Sequence, residues 1–219
     1  MNPKANQGKL SIPLQEKMTR LSRILQELGS VLVAFSGGVD STLLLYVARK
    51  ELGEQAVALV ASSPTYPDFE ITKAKEILRE WGVRLVEVSS HELEIPAFKE
   101  NSPRRCYYCK QELFQKCREK AEAIGLRYVA DGANFDDRGD YRPGMEAARE
   151  LGIRSPLMEA GFTKADIRRS AAFSGSRPGT NLLWPAWRPD FPTGRRFLPG
   201  GYSRWRKRKN TCGVLVSDS

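Results

Sequence analysis

The sequence predicts an α/β protein built on a Rossmann-like, doubly wound parallel sheet. Short apolar runs rich in β-branched residues alternate with segments of helical length, and segments rich in Gly, Ser, Asn and Asp directly follow three of those runs. Alternation of this kind gives parallel strands whose right-handed connections cover both faces of the sheet. Ligands of such sheets bind at the carboxyl ends of the strands, so these three polar segments are the first candidates for a site.

The predicted elements follow one another in a regular order. An amphipathic helix is predicted over residues 14–28, where large apolar residues recur at three- and four-residue steps. The run VLVAF at 31–35 is typical of a buried parallel strand, and the helix TLLLYVARKEL follows the polar segment SGGVDS. The remaining pattern predicts strands at 56–62, 83–89 and 127–132, helices at 68–81, 110–124 and 144–151, and a last helix with Thr163 as its N-cap.

The composition is that of a globular protein in water. Of the 219 residues, 41% are hydrophobic and 28% are charged. There is no run of about eighteen apolar residues, and the N-terminal stretch has no apolar signal-peptide core, so we expect a cytoplasmic location and no membrane partner. Four cysteines in such a chain suggest metal or redox chemistry at least as readily as disulfides.

The positive charge is concentrated near the C-terminus. The formal net charge is +9, and residues 170–219 contribute +7 of it, because they hold nine Lys and Arg against two Asp. Residues 1–169 carry only +2. This balance argues against a nucleic-acid partner for the main part of the chain.

The segment SGGVDS carries the strongest chemical signal. Gly37 and Gly38 allow backbone N–H groups to approach a phosphate, and the following helix directs its positive N-terminal end to the same place. Ser36 and Ser41 add hydroxyl donors, while the carboxylate of Asp40 suits Mg²⁺ or a role in orienting the loop. The GKS/T ending of a Walker A loop is absent, which disfavours γ-phosphate transfer.

This motif resembles the SGGxDS signature of the PP-loop ATP pyrophosphatases, which have an adenine nucleotide alpha hydrolase-like fold. The resemblance implies that ATP, with Mg²⁺, is cleaved between its α- and β-phosphates and that an acceptor is adenylated for attack by a nitrogen or sulfur nucleophile. It also implies a set of cofactor-binding residues, with Ala61 and Ser62 on the AMP side. The implied pyrophosphate contacts are Ser36, Gly37, Gly38, Val39, Asp40 and Ser41.

The segments NSPRRCYYCKQELF and DGANFDDRGDYRPGMEAARELGIRSPL resemble one branch of that superfamily. They are similar to the ATP-dependent sulfur transferases that make the nickel-pincer nucleotide cofactor of lactate racemase. The resemblance implies adenylation of a carboxylate of a pyridinium dicarboxylate mononucleotide, followed by replacement of oxygen with sulfur. Some members sacrifice a cysteine side chain as the sulfur source, and others hold a [4Fe-4S] cluster on three cysteines. The intact members are expected to form homo-oligomers.

Cys106 and Cys109 are the candidate catalytic residues and, with Asp40, the candidate metal ligands. The basic residues around them favour the thiolate and attract a nucleotide phosphate. A lone CxxC equally suits zinc or a redox pair, and the cysteines could also be inert. Cys117 is expected in the core, and His91 is expected in a solvated loop with no partner cluster. The candidate substrate-binding residues are Arg105, Asp131, Asn134, Asp137 and Arg142, although the acidic and amide residues could instead form caps and turns.

The C-terminal segment departs from everything before it. It is rich in Trp, Pro and Arg, it has no helix or strand period, and it lacks the third cysteine that the resemblance requires. Read from the third base of the Pro178 codon, the codons for Gly179 to Gly194 can spell WDKPALACLASRFPYG, which resembles the missing stretch. We therefore predict a PP-loop domain at 1–169 and an out-of-frame basic tail at 170–219, with impaired sulfur transfer. The alternative is a natural basic tail that binds nucleic acid through RWRKRK.

Three other functions remain open at this point. A PP-loop tRNA thiolase also uses CxxC cysteines, although the low charge of residues 1–169 argues against it. An ammonia-dependent amide ligase similar to NAD synthetase needs no cysteines and leaves RRCYYCK without a purpose. An inactive nucleotide-binding fragment is the reading that is not an enzyme.

Overall fold

Four parallel strands form the sheet in a computed structural model that describes residues 12–63, 68–99, 103–139 and 143–173. The strands lie in the order β3-β2-β1-β4, which confirms the predicted α/β class. Their bounds are β1 Val31–Ala34, β2 Ala56–Ser62, β3 Arg84–Ser89 and β4 Tyr128–Ala130. Val31 of β1 is in register with Ala56 of β2 and with Tyr128 of β4. Two predictions lie outside the described residues: the substrate contact Arg142 and the structure of the tail beyond residue 173.

Eight α-helices occur in the described residues. They are α1 Ile12–Leu28, α2 Val39–Leu52, α3 Asp68–Glu80, α4 Pro96–Lys99, α5 Arg105–Ala123, α6 Pro143–Glu150, α7 Pro156–Glu159 and α8 Lys164–Phe173. Short 3₁₀ segments cover Gly53–Gln55, Glu92–Glu94 and Phe135–Gly139. None of the helices in this part of the chain is long and apolar enough to cross a bilayer.

The central strands β1 and β2 are buried on both faces because they are almost entirely apolar, whereas the edge strand β3 carries exposed polar residues. Val31, Val33 and Phe35 belong to one core cluster, which also holds buried residues of α1, α2, α3 and α8. Leu32, between them in sequence, belongs to the opposite cluster with Phe114 and other residues of α5. This alternation follows from the two-residue period of a strand and explains the continuous apolar runs.

The connections reverse direction between β1 and β4. The chain moves outward from β1 to β2 and β3, then returns to place β4 on the other side of β1. This reversal is the topological switch point at which open α/β sheets bind ligands. SGGVDS follows β1 and DGANFDD follows β4, so two of the three predicted polar segments lie at the switch point.

The main difference from the sequence prediction is the start of α5. This helix begins at Arg105, earlier than the predicted residue 110, and it therefore includes both cysteines of the CxxC motif. Burial of Cys109 against Phe98 supports the additional turn. The short helices α4 and α7 were not predicted, because helices of one turn have no periodicity to detect.

Candidate nucleotide-binding site

The SGGVDS segment forms a tight loop that is held together by its own serines. Gly37 has a positive φ of 71°, a conformation that favours glycine, and Gly38 is the N-cap of α2. Ser41 donates its hydroxyl to the carbonyl of Gly38 at 3.1 Å, and the hydroxyls of Ser36 and Ser41 lie 3.2 Å apart. The loop therefore presents the first N–H groups of α2 at the carboxyl end of the sheet, as an anion site requires.

Asp40 lies in the first turn of α2 and pairs with a lysine from the other end of the domain. Lys164, the first residue of α8, donates its ammonium to Oδ2 of Asp40. Burial raises the pKa of Asp40 above its ordinary value, although Lys164 opposes that effect and Asp137 adds to it. The other carboxylate oxygen, Oδ1, is buried and has no hydrogen-bond partner among the described residues. Such an oxygen fits a hard cation such as Mg²⁺.

The segment after β4 is organised mainly by its own side chains. Asp131 accepts hydrogen bonds from the amide of Ala133 at 3.2 Å and the hydroxyl of Ser155 at 2.8 Å, and burial raises its pKa. Asn134 accepts from the amide of Asp136 at 3.1 Å, and Asp137 accepts from the amide of Asn134 at 2.9 Å. These contacts are those of the capping and turn alternative, and they account for the side chains without a ligand.

The same segment is also tied to α8. Asp136 accepts a hydrogen bond from the backbone amide of Lys164 at 2.8 Å. Thr163 caps α8 as predicted, because its hydroxyl accepts from the amide of Asp166 at 3.2 Å. Asp166 in turn accepts from the amide of Thr163 at 3.1 Å, which completes a reciprocal cap. These bonds fix the lysine that faces Asp40.

The CxxC cysteines lie at the N-terminus of α5, on the opposite face of the sheet from α2. Cys109 is 5% exposed and packs against Phe98, whereas Cys106 is partly exposed. Arg105 is 7% exposed, and the guanidinium of Arg104 pairs with Glu146 at 2.9 Å. The charge of Arg104 is therefore partly neutralised, which weakens the positive field expected from the sequence.

Cys117 and His91 test two further predictions. Cys117 is fully buried among the apolar residues of α5, and burial raises its pKa to about 12, which confirms a core cysteine. His91 is exposed as predicted, but it has a partner: the ammonium of Lys116 lies 3.0 Å from its Nδ1. Glu112 joins them by accepting from the hydroxyl of Ser90 at 2.6 Å and from the amide of His91 at 3.0 Å. The prediction of a solvated His91 is confirmed, but its contacts with Lys116 and Glu112 were not predicted, because a periodicity analysis does not reveal contacts between a loop and a helix.

The structure brings together only part of the predicted set. Asp40 and Asp137 interact electrostatically at the SGGVDS loop, and Ala61 and Ser62 end the neighbouring strand β2 at the same edge. Lys164 was missed by the sequence analysis, since a lysine at the first position of a helix is an ordinary residue until α8 is placed against α2. No group of three or more metal-ligating side chains occurs within the described ranges.

The SGGVDS loop at the switch point of a parallel sheet is the architecture of the PP-loop ATP pyrophosphatase superfamily, to which this chain belongs. A glutamine-dependent NAD⁺ synthetase from Acinetobacter baumannii has the same fold, with a TM-score of 0.63 and 16% identity over 83% of this chain and 38% of that chain. No protein-family profile matches the sequence.

Curated relatives identify the branch of the superfamily. An uncharacterized Synechocystis protein is 39% identical over 181 residues, which are 83% of this chain and 68% of the relative. The pyridinium-3,5-bisthiocarboxylic acid mononucleotide synthase of Lactiplantibacillus plantarum is 39% identical over 159 residues, which are 72% of this chain and 58% of the synthase. The chain belongs to the LarE-type family that includes this synthase.

Proposed function

We propose that this chain is the ATP-binding, adenylating part of a sulfur transferase that acts on a carboxylate of a pyridinium mononucleotide in nickel-pincer cofactor biosynthesis. The observation that carries the proposal is the pyrophosphate loop at the switch point, joined to a sequence that is 39% identical to the bacterial synthase. The chain spans 58% of the length of that synthase.

The first step is adenylation. A carboxylate oxygen of the pyridinium ring attacks the α-phosphorus of ATP, the bond from that phosphorus to the β-phosphate oxygen breaks, and pyrophosphate leaves. The loop from Ser36 to Ser41 holds the pyrophosphate with its N–H groups and hydroxyls, while Ala61 and Ser62 lie on the AMP side. Asp40 would hold Mg²⁺ through its unpartnered Oδ1, and the cation would offset the charge that develops on the leaving pyrophosphate.

The second step is the transfer of sulfur. A cysteine thiolate attacks the acyl carbon, the bond to the phosphate oxygen breaks, AMP leaves, and a thioester to the protein forms. Loss of the cysteine α-proton and breakage of its Cβ–S bond then release the thiocarboxylate and leave dehydroalanine in the chain. Cys106 is the better placed of the two CxxC thiols, because it is partly exposed whereas Cys109 is packed against Phe98. Arg105, Asp131, Asn134, Asp137 and Arg142 remain candidates for binding the nucleotide substrate.

Two thiols do not complete an iron-sulfur site. The described residues hold only Cys106 and Cys109 near this edge of the sheet, and they provide no group of three ligands. The residues present therefore do not fit a [4Fe-4S] cluster by themselves, and no step depends on one.

We also propose that residues from about 170 onward are out of frame, so that this chain activates its substrate but transfers sulfur poorly. The charge distribution supports this reading, because residues 170–219 carry +7 whereas residues 1–169 carry only +2.

Pyrophosphate release tests the proposed activity. The full chain is incubated with MgATP alone, with a pyridinium-3,5-dicarboxylate mononucleotide, with tRNA, or with ammonia and nicotinate adenine dinucleotide. We expect release that depends on the pyridinium mononucleotide and is lost in Asp40→Asn. Release only with tRNA, or only with ammonia and the dinucleotide, would contradict the proposal. No release under any condition would leave an inactive nucleotide-binding fragment.

A further inference from the structure

The segment after β4 meets the pyrophosphate loop at one residue without a side chain. A Cβ atom placed on Gly132 would lie 2.8 Å from the amide nitrogen of Ser41, 3.1 Å from its Cα and 3.3 Å from the carbonyl carbon of Asp40. All three atoms are backbone atoms of the first turn of α2, so no rotamer change can move them aside. Among the glycines of the described residues, only Gly132 would bring a Cβ within 3.0 Å of backbone.

The backbone conformation of Gly132 does not explain the glycine. Its φ lies outside the left-handed region, in contrast to Gly125, where φ is +75° and a Cβ would meet nothing within 4 Å. Alanine can therefore adopt the backbone conformation of Gly132, and the reason for glycine at this position is the close approach to α2.

The segment cannot easily retreat from α2, because it is held on its other side. The hydroxyl of Ser155 donates to Asp131, the residue before Gly132, at 2.8 Å. Asp136 accepts from the backbone of Lys164 at 2.8 Å. An added methyl group would therefore displace the first turn of α2 by roughly half an ångström, the amount needed to restore van der Waals distance.

We propose that Gly132 is a positioning residue for the pyrophosphate site. By allowing the segment after β4 to lie directly on the backbone at Ser41, it sets the direction of the first N–H groups of α2 and keeps Asp137 near Asp40. This inference rests on the proposed function, since it assumes that the loop binds the pyrophosphate part of ATP.

The test compares Gly132→Ala with Gly125→Ala in the full chain. Binding of MgATP and of inorganic pyrophosphate is measured by titration calorimetry, and stability by urea unfolding. We expect Gly132→Ala to weaken both ligands by about tenfold or more, because displaced donors lose charge-assisted hydrogen bonds. Gly125→Ala is a matched control that carries a strained backbone at the far end of α5, and we expect it to lose stability but keep its affinity.

A second variant keeps the test decisive if Gly132→Ala does not fold. Ser155→Ala removes the hydrogen bond that holds Asp131 and gives the segment after β4 room to move. The double variant Gly132→Ala/Ser155→Ala is therefore expected to bind more tightly than Gly132→Ala alone. If the single variant does not fold, the double variant is compared with Ser155→Ala alone, and a lower affinity is expected. A stable Gly132→Ala that binds within twofold of wild type, or a folded double variant as tight as Ser155→Ala, would overturn the inference. If wild type binds neither ligand, the proposed function itself fails.

Discussion

Replacement of Lys164 by methionine removes the cation that faces Asp40 and keeps the length of the side chain. The side chains of Lys164 and Asp40 are 36% and 23% exposed, so breaking the pair should cost an amount of stability between that of a surface pair and that of a buried pair. We expect the free energy of unfolding to fall by about 1–2 kcal/mol. If the ammonium also contacts the bound phosphates, its removal costs a charge-assisted hydrogen bond of about 1.5–3 kcal/mol, which weakens MgATP by roughly tenfold to a hundredfold.

Lys17→Met is the matched control for this variant. Lys17 pairs with Asp166 at 2.6 Å, its pair is 29% and 16% exposed, and it also holds α8, but it does not contact Asp40. Urea unfolding should therefore show a similar loss in both variants, whereas calorimetry should show weaker MgATP binding only in Lys164→Met. Affinity within twofold of wild type in Lys164→Met, or an equal loss in Lys17→Met, would refute the assignment of Lys164 to the site.

Four further outcomes follow from the structure. Burial raises the pKa of Asp40 above 3.8, so the folded chain binds a proton more tightly at Asp40 than the unfolded chain does. The free energy of unfolding should therefore fall as pH rises from 3.8 through the raised pKa. Asp40→Asn should remove that fall in urea unfolding and should also lose MgATP binding. Burial alone would raise the pKa of Glu112, but its hydrogen bonds with Lys116, Ser90 and His91 lower that pKa below 4.5. The stability that Glu112 contributes is therefore present above pH 4.5 and is lost as pH falls through the lowered pKa. Glu112→Gln should be less stable than wild type at pH 7, and the difference in unfolding free energy should disappear in acid. Thr163→Ala should cost about 1 kcal/mol of stability through loss of the cap, and an unchanged unfolding midpoint would contradict that role. Sequencing of the source DNA from codon 164 onward should show an open shifted frame that encodes a CLASR-like stretch, and a closed frame would make the tail genuine.

The sequence was sufficient to predict the sheet and to bring SGGVDS and the segment after β4 to its switch point. Apolar strand runs and the glycines of SGGVDS are local signals, and they predicted β1, the loop and the start of α2 to within a few residues. The roles within the segment after β4 were less clear, since Asn and Asp form the same turn contacts whether or not they also bind a ligand.

What the sequence could not show were contacts between distant elements. Asp40 and Lys164 are separated by 124 residues, and only the packing of α8 on α2 brings them together. In the sequence, Gly132 likewise does not differ from an ordinary turn residue, and its close contact with α2 emerges only when β4 is placed beside β1. The contacts of Glu112 and Lys116 with the loop after β3 could not be predicted from periodicity, because they join a loop to the side of a helix.

The ion pairs that join α1 and α2 to α8 have a consequence for synthesis on the ribosome. Lys17 and Asp166 are separated by 149 residues, and Asp40 and Lys164 by 124 residues. Neither pair can form until α8 has emerged from the ribosome. A reading-frame error upstream of codon 163 would leave the nascent SGGVDS loop without Lys164, and the product would be exposed to proteolysis. An error after codon 166, such as the shift proposed near codon 170 within α8, would keep Lys164 and Asp166, so that product is expected to resist proteolysis better than the shorter one.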